Sequence, residues 1–214
     1  MAITTVVFDV GETLVDETRQ WGLWADWMGV PRLTFFAAMG VVVDHRLHHR
    51  QVFQLVRPGY DWEAAAERRR EVGHAYVLER GDFYPDALPC LTDLRLHGYH
   101  IGISGNQPES VEDELRRAGV QADFIASSSS WGVEKPSPAF FDRVARAAGR
   151  PATEIAYVGD RLDNDVLPAR AAGMIAVFIR RGPWGIVHSG WQEVAQADAR
   201  LESLAELRVA LGRF

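Results

Sequence analysis

The sequence predicts an α/β protein in which a doubly wound parallel sheet carries a small helical segment inserted after its first strand. Short runs rich in Val and Ile alternate with helical patterns along most of the chain, as in sheets whose strands are buried on both faces. One long segment, residues 16–81, interrupts this alternation and shows no strand pattern. We therefore place the sheet domain at residues 1–15 and 82–214, and a helical domain at residues 16–81.

The sheet domain contains a series of predicted strands, and each strand after the first is preceded by a predicted helix. The strands are Ile3–Asp9, Tyr99–Ser104, Phe124–Ser127, Ile155–Gly159 and Met174–Ile179. The helices are Pro85–Leu96, Pro108–Ala118, Pro138–Ala148 and Val166–Ala172. Prolines in first turns and glycines just past the last residues mark the ends of these helices, since proline lacks an amide hydrogen and glycine accepts a left-handed backbone.

The inserted segment has the residue spacing of amphipathic helices. Trp21, Trp24, Trp27 and Met28 recur at helical intervals, and a second apolar stripe begins after Asp61. Aspartate is a residue type that caps helix N-termini, so Asp61 predicts where the second helix begins. We interpret the aromatic residues as the core of the insert.

Two polar groups in the insert allow more than one interpretation. His45 and His49 would share one helical face with His48 beside them, which would suit a metal pair. No matching Cys or acidic partner stands out, so we prefer a solvated surface for this histidine cluster. The run Arg68–Arg70 is also interpreted as surface, with contact to an anionic substrate as the alternative.

Composition restricts the class of protein. The 214 residues are 47% hydrophobic and 24% charged, which is typical of soluble globular chains. No apolar run approaches the roughly 20 residues of a membrane span, and the net charge of −6 argues against nucleic acid as the main partner. The single Cys90 excludes an internal disulfide framework, and the first residues already have a strand pattern rather than that of a signal peptide. We expect a cytoplasmic monomer or homodimer with no membrane partner.

The first four strands each end in a short segment of residues that can support chemistry. These segments are Asp9–Thr13, Ser104–Asn106, Gly132–Pro136 and Gly159–Asp165. Ligands of open parallel sheets bind beyond the carboxyl ends of the strands. We therefore expect the four segments to converge on one edge of the sheet.

The four segments, in this order, resemble the four motifs of the haloacid dehalogenase superfamily over nearly the whole chain. The most specific is Gly159–Asp165, an acidic Gly-Asp-x-x-x-Asn-Asp motif, and Lys135-Pro136 is less specific. The first segment matches the family's Asp-x-Asp-x-Thr motif, except that Gly11 stands where the second Asp is expected. The resemblance implies a Rossmann-like core and makes the insert the family's helical cap.

Carboxylates in the first and fourth segments suit a nucleophile and a metal ion. Asp9 can attack an electrophilic phosphorus in line and form an acyl phosphate. Asp9 and Asp160 could hold one hard divalent ion, and Mg²⁺ fits because it binds through few carboxylates and keeps its waters. The resemblance adds the backbone carbonyl of Gly11 as a metal ligand. Asp165 is expected to orient the metal ligands without touching the ion, and direct contact with the ion is the alternative. For Asp160 the alternative to metal binding is capping of the following helix.

The remaining segments suit a phosphate group. Ser104 offers a hydroxyl donor to a phosphate oxygen, and the amides of Gly105 and Asn106 can add to it. Lys135, the single lysine among 23 basic residues, would neutralise the phosphate and keep Asp9 ionised. Thr13 is expected to fix the turn after the nucleophile.

These expectations describe a Mg²⁺-dependent hydrolase, a phosphatase that acts on a small phosphorylated metabolite. Gly11 removes the family's usual general acid, and three explanations stay open. Glu12, Asp16 or a histidine of the cap could replace it; the substrate could have a good leaving group; or the chemistry could differ. The alternatives are a binding or regulatory module on an enzyme fold, and a 2-haloacid dehalogenase, against which Asp160 and Asp165 argue.

Overall fold

The computed structural model describes residues 2–214, and within them one parallel sheet of six strands. The strands are β1 Thr5–Phe8, β2 His100–Gly105, β3 Phe124–Ser127, β4 Ile155–Gly159, β5 Ile175–Ile179 and β6 Ala199–Leu201. Their order across the sheet is β3-β2-β1-β4-β5-β6, and every neighbouring pair is parallel. The predicted α/β fold with a doubly wound parallel sheet is confirmed. The sequence analysis missed β6, because its three residues include an exposed Arg200 and are too few to show a pattern.

Helices flank the strands and also fill the segment after β1. They are α1 Thr18–Met28, α2 Arg32–Asp44, α3 Gln51–Val56, α4 Trp62–Glu71, α5 Ala87–Leu96, α6 Ser110–Arg117, α7 Ser128–Trp131, α8 Pro138–Ala148, α9 Leu167–Ala171, α10 Gly182–His188 and α11 Leu207–Leu211. A π-helical turn, Leu162–Val166, leads directly into α9. The predicted helices correspond to α5, α6, α8 and α9 with shifts of a few residues at their ends.

Contacts divide the described chain into two units. The larger contains the residues up to Asp16 together with Leu78–Phe214, and the smaller is Glu17–Val77. The sequence predicts a division after residues 15 and 81, so the two versions differ at Asp16 and at 78–81. Residues 78–81 lie with the larger unit because the Leu78 amide donates to Glu114 Oε2 at 2.9 Å and Arg80 Nη1 donates to the Ala118 carbonyl at 3.0 Å.

The larger unit has its core on the faces of the sheet. All residues of β1 and of β4 are buried, which explains their continuous apolar sequences. On one face, Phe141 of α8 meets the ring of Tyr157 edge to face, with centroids 5.3 Å apart. Burial on both faces fixes the central strands, and with them the residues that follow.

The central strands bring the predicted motif segments to one edge of the sheet. Phe8 of β1 pairs with Ile103 on one side and with Val158 on the other. The Asp9 amide continues the ladder by donating to the Val158 carbonyl at 2.9 Å. Strand order reverses between β1 and β4, and such reversals open a crevice at the carboxyl ends of parallel strands.

The smaller unit has an aromatic core of its own. Trp21, Phe35 and Phe53 are buried, and their ring centroids lie 5.9 to 6.4 Å apart. Asp61 caps α4 by accepting a hydrogen bond from the Ala64 amide at 3.0 Å, as its position predicts. Trp21 and Met28 are buried, whereas Trp24 and Trp27 are only half-buried, so the predicted core is correct for the first two residues and partial for the other two.

Two interpretations of polar residues in the smaller unit need correction. Helix α2 ends at Asp44, so the expectation that His45 and His49 share a helical face is wrong. The preferred interpretation as a solvated surface is correct for His45 and His48, which are exposed. Arg69 is buried with 4% exposure, so the run Arg68–Arg70 is not wholly a surface feature. Among the described residues no single helix has the length and composition to span a membrane, although α1 and α2, bent by 114°, meet that test as a pair.

Candidate active site

Asp9 leaves the end of β1 with its carboxylate in a narrow space between neighbouring strands. It is 7% exposed. A Cβ atom on Gly105, at the end of β2, would lie 2.5 Å from Asp9 Oδ1. No side chain larger than hydrogen therefore fits at position 105 while the Asp9 carboxylate holds this position. The sequence predicts Gly105 as an amide donor, and the structure adds that it makes room for the nucleophile candidate.

Lys135 connects two of the acidic side chains. Its Nζ donates hydrogen bonds to Asp9 Oδ1 at 2.6 Å and to Asp165 Oδ1 at 2.5 Å, and its side chain is 1% exposed. Burial acts to lower the pKa of Lys135, but the charges of Asp165 and Asp9 outweigh burial and raise it well above its ordinary value. The ammonium is therefore charged, and it offsets part of the negative charge around it.

The backbone of Lys135 is held by the side chain of Asn106. Asn106 Nδ2 donates to the Lys135 carbonyl at 2.9 Å, and the Lys135 amide donates to Asn106 Oδ1 at 2.8 Å. The sequence analysis considers only the amide of Asn106, whose role toward phosphate stays a prediction. This pair of hydrogen bonds links the segment after β2 to the segment after β3, and it sets where the ammonium enters the site.

Three carboxylates form the only cluster of metal-ligating side chains that the structure brings together among residues 2–214. One oxygen each from Asp9, Asp160 and Asp165 lies within 4.8 Å of the other two. Asp160 is 1% exposed, and its Oδ2 has no hydrogen-bond partner. Burial, followed by the charges of Asp165, Asp9 and Glu12, raises the pKa of Asp160 well above its ordinary value. One ammonium leaves this cluster with excess negative charge, which a divalent cation could neutralise.

Asp165 differs from Asp160 because both of its oxygens already have partners. Oδ1 accepts from Lys135, and Oδ2 accepts from the Arg161 amide at 3.0 Å. Burial raises the pKa of Asp165 to about 6, with the Lys135 charge opposing and the Asp9 charge adding to the effect. Gly159 lets this side chain approach the strand end, because a Cβ there would overlap Asp165. These contacts suit a supporting position behind Asp160.

Two hydroxyl groups in the motif segments are buried without a hydrogen-bond partner. They are Ser104 Oγ and Thr13 Oγ1, and both residues are fully buried. Buried hydroxyls are normally paired, so each could serve a bound ligand. The Ser104 carbonyl accepts from the Tyr157 hydroxyl at 2.8 Å, which fixes the backbone and leaves the side chain available. The expected turn-fixing role of Thr13 is not seen in its side chain, which makes no such bond.

Glu12, next to Gly11, has an unusual backbone conformation and a buried side chain with specific neighbours. Its φ of 52° lies in the left-handed region, and it is 4% exposed. The Tyr84 hydroxyl donates to Glu12 Oε2, and a Cβ on Gly182 would overlap the same carboxylate. Burial, followed by the Glu12 charge, raises the pKa of Tyr84, so its hydroxyl stays protonated as a donor.

Arg181 contacts both Tyr84 and the turn that follows Asp9. Its guanidinium lies 4.5 Å from the centre of the Tyr84 ring, and Nη1 donates to the Thr13 carbonyl at 3.2 Å. The same group donates to both oxygens of Asp86 at 2.9 and 2.6 Å. Paired hydrogen bonds of this kind are among the more rigid side-chain contacts in proteins. Arg181 therefore supports the turn that carries Glu12 and Thr13, a role with no signal in the sequence pattern.

Comparison with known sequences connects these motifs to named phosphatases. A glyceraldehyde 3-phosphate phosphatase of Methanopyrus kandleri is 36% identical over 154 residues, which cover 67% of this chain and 64% of the relative. A phosphoserine phosphatase of Thermus thermophilus is 35% identical over 123 residues, or 55% of this chain and 49% of the relative. The matches therefore span less than two thirds of the length of these relatives.

Structural and family comparisons cover more of the chain. The solved structure of a haloacid dehalogenase phosphatase from Thermococcus onnurineus superposes with a TM-score of 0.63 over 98% of both chains, at 24% identity, and so shares the fold. The sequence model of haloacid dehalogenase-like hydrolases matches residues 3–173. That range contains all four motif segments and the whole of the smaller unit. The chain belongs to the haloacid dehalogenase-like hydrolase family.

Proposed function

We propose that this protein is a Mg²⁺-dependent phosphatase that hydrolyses a small phosphomonoester with Asp9 as the nucleophile. The observation that carries the proposal is the meeting of Asp9, Lys135 and Asp160 at the carboxyl ends of β1 and β4. The names of the two relatives, which act on glyceraldehyde 3-phosphate and phosphoserine, support a small phosphorylated substrate. A binding module has no evident need for an ammonium held on a strand-end carboxylate.

The proposed reaction has two steps at Asp9. A carboxylate oxygen of Asp9 attacks phosphorus, and an O–P bond forms while the bond to the leaving alkoxide breaks; the alkoxide takes up a proton. Water then attacks the acyl phosphate, which releases inorganic phosphate and restores the carboxylate. Lys135 stabilises negative charge on Asp9 and on the phosphoryl oxygens. Ser104, with the amides of Gly105 and Asn106, would hold the phosphate.

The residues present fit a magnesium ion. Asp9, Asp160 and the carbonyl of Gly11 would hold it, and the unpartnered Oδ2 of Asp160 is the kind of hard oxygen ligand that Mg²⁺ prefers. Asp165 would orient this side of the site through its bonds to Lys135 and the Arg161 amide. When bound, the ion supplies positive charge against the phosphate oxygens.

The proton for the leaving group is the step that Gly11 leaves without its usual donor. Among the candidates for a replacement, Glu12 lies next to position 11, with Tyr84 donating a hydrogen bond to it and Gly182 leaving it space. We propose that turnover depends on the leaving group, so that aryl phosphates react faster than alkyl phosphates. The reason is that a good leaving group needs less protonation in the transition state.

The proposed activity predicts Mg²⁺-dependent release of nitrophenol from p-nitrophenyl phosphate. Asp9→Asn should lower kcat by at least about 1,000-fold, because the amide cannot act as the nucleophile. Asp142→Asn, on an exposed position of α8, is the matched control and should leave the rate unchanged. An inactive wild-type enzyme across a broad panel of phosphomonoesters would contradict the proposal, as would chelator-insensitive release of halide from 2-haloacids.

The metal site predicts opposite effects of Asp160→Asn with and without magnesium. In the metal-free protein the substitution removes the burial cost and the repulsion that raise the pKa of Asp160, so the melting temperature should rise by about 2–4 °C. The wild-type protein should gain stability when Mg²⁺ is added, and the variant should not. Thermal unfolding with and without Mg²⁺ measures both effects.

Asp163→Asn is the control for this experiment because Asp163 lies in the same segment but is half-exposed and paired with Arg161. This variant should keep the stabilisation by Mg²⁺. Equal stabilisation by Mg²⁺ of the wild type and Asp160→Asn would show that the ion does not bind at Asp160.

A carboxylate introduced at position 11 should change the preference of the enzyme for leaving groups. Gly11→Asp should raise kcat on glycerol 3-phosphate by about 100-fold and should change the rate on p-nitrophenyl phosphate far less. Gly11→Asn has the same shape without the proton and should give no gain. Equal rates for the Asp and Asn variants would mean that proton transfer at this position does not limit turnover.

A further inference from the structure

Arg69 of α4 is a buried cation that forms no ion pair with the residues that the structure describes. It is 4% exposed, and its Nε is buried without a hydrogen-bond partner. The ion pairs found among residues 2–214 do not include Arg69. Buried charges are normally paired, and the guanidinium group cannot escape the cost by losing its proton. An unpaired buried arginine therefore needs an explanation.

The neighbours of Arg69 are aromatic. Its guanidinium carbon lies 4.2 Å from the centre of the Trp24 ring. Burial lowers the pKa of Arg69, and Tyr60 partly opposes this, whereas no carboxylate contributes. Burial also raises the pKa of Tyr60, so the Tyr60 hydroxyl stays neutral and can act as a donor. The neighbours that act on Arg69 are therefore an aromatic face and a hydroxyl group, and none is a carboxylate.

Contact with an aromatic ring does not by itself account for this burial. Arg50 and Arg57 also lie against rings of the smaller unit, 4.0 Å from the centre of Trp62 and 5.7 Å from that of Tyr60. Both are exposed, so water can satisfy their remaining N–H groups. Arg69 has the same kind of contact but is 4% exposed, and its Nε is buried without a hydrogen-bond partner.

We propose that the smaller unit contains an anion-binding site in which Arg69, next to Trp24 and Tyr60, receives a carboxylate or phosphate group of a small-molecule ligand. The planar guanidinium presents paired N–H donors that match the two oxygens of such a group. The Trp24 ring supplies an apolar face on which the guanidinium lies. The proposed site shares no residue with the Asp9 cluster, and its test does not require the enzyme to turn over a substrate.

Calorimetric titration of the full-length protein tests this site with two probes, malonate for a carboxylate ligand and inorganic phosphate for a phosphate ligand. With the wild type, at least one probe should bind with a measurable heat, and Arg69→Gln should weaken that binding at least 10-fold. Arg68→Gln, on the exposed neighbour in the same helix, should bind as the wild type does. Weaker malonate binding in Arg69→Gln would identify a carboxylate ligand, and weaker phosphate binding in that variant would identify a phosphate ligand.

Three results would overturn the proposal. The first is probe binding that is unchanged in Arg69→Gln, and the second is no binding of either probe to the wild type. The third comes from thermal unfolding of Arg69→Met, which keeps the apolar stem but removes the charge. A ligand site predicts that this variant melts at or above the wild-type temperature without added anion, because an unpaired buried charge is gone. A marked fall would show that the charge serves the fold instead.

Discussion

The arrangement of the site depends on one buried ammonium between two carboxylates. Lys135 Nζ lies 2.6 Å from Asp9 and 2.5 Å from Asp165, and no other cationic side chain among residues 2–214 forms an ion pair with the three clustered carboxylates. Three carboxylates packed together with one cation repel each other, and the metal-free site is therefore electrostatically strained. The same excess charge would favour the binding of a divalent ion, as we propose. Strain of this kind, which lowers stability, is common at functional sites.

The backbone determines that these groups meet. Strand order reverses beside β1, and the register of β1 with β2 and β4 brings Asp9, Gly105 and Asp160 to neighbouring strand ends. Asn106 then fixes the backbone of Lys135 with two hydrogen bonds across segments that are distant in sequence. Glycines at the ends of β2 and β4 keep space for the two side chains that Lys135 bonds. The chemistry therefore rests on contacts that only the assembled sheet creates.

The parallel sheet and its motif segments could be predicted because each depends on residues that are close together in the sequence. Strands buried on both faces are continuous apolar runs, and their ends are marked by Asp9, Ser104 and Asp160. The hydrogen bonds of the Asn106 side chain and the space left by Gly159 could not be predicted in this way, since each depends on a contact that forms only in the folded chain. The burial of Arg69 was missed because its neighbours along the chain are polar and exposed. The helical face assumed for the histidines was wrong because α2 ends at Asp44.

The central claim is that Asp9 accepts a phosphoryl group beside a metal ion. A crystal structure of the protein with Mg²⁺ and beryllium trifluoride, a mimic of the phosphoryl group of an acyl phosphate, tests it most directly. We expect beryllium bonded to a carboxylate oxygen of Asp9, one cation in contact with Asp9 and Asp160, and the Lys135 ammonium against fluoride. Beryllium fluoride bound elsewhere, or a cation that does not touch Asp160, would contradict it.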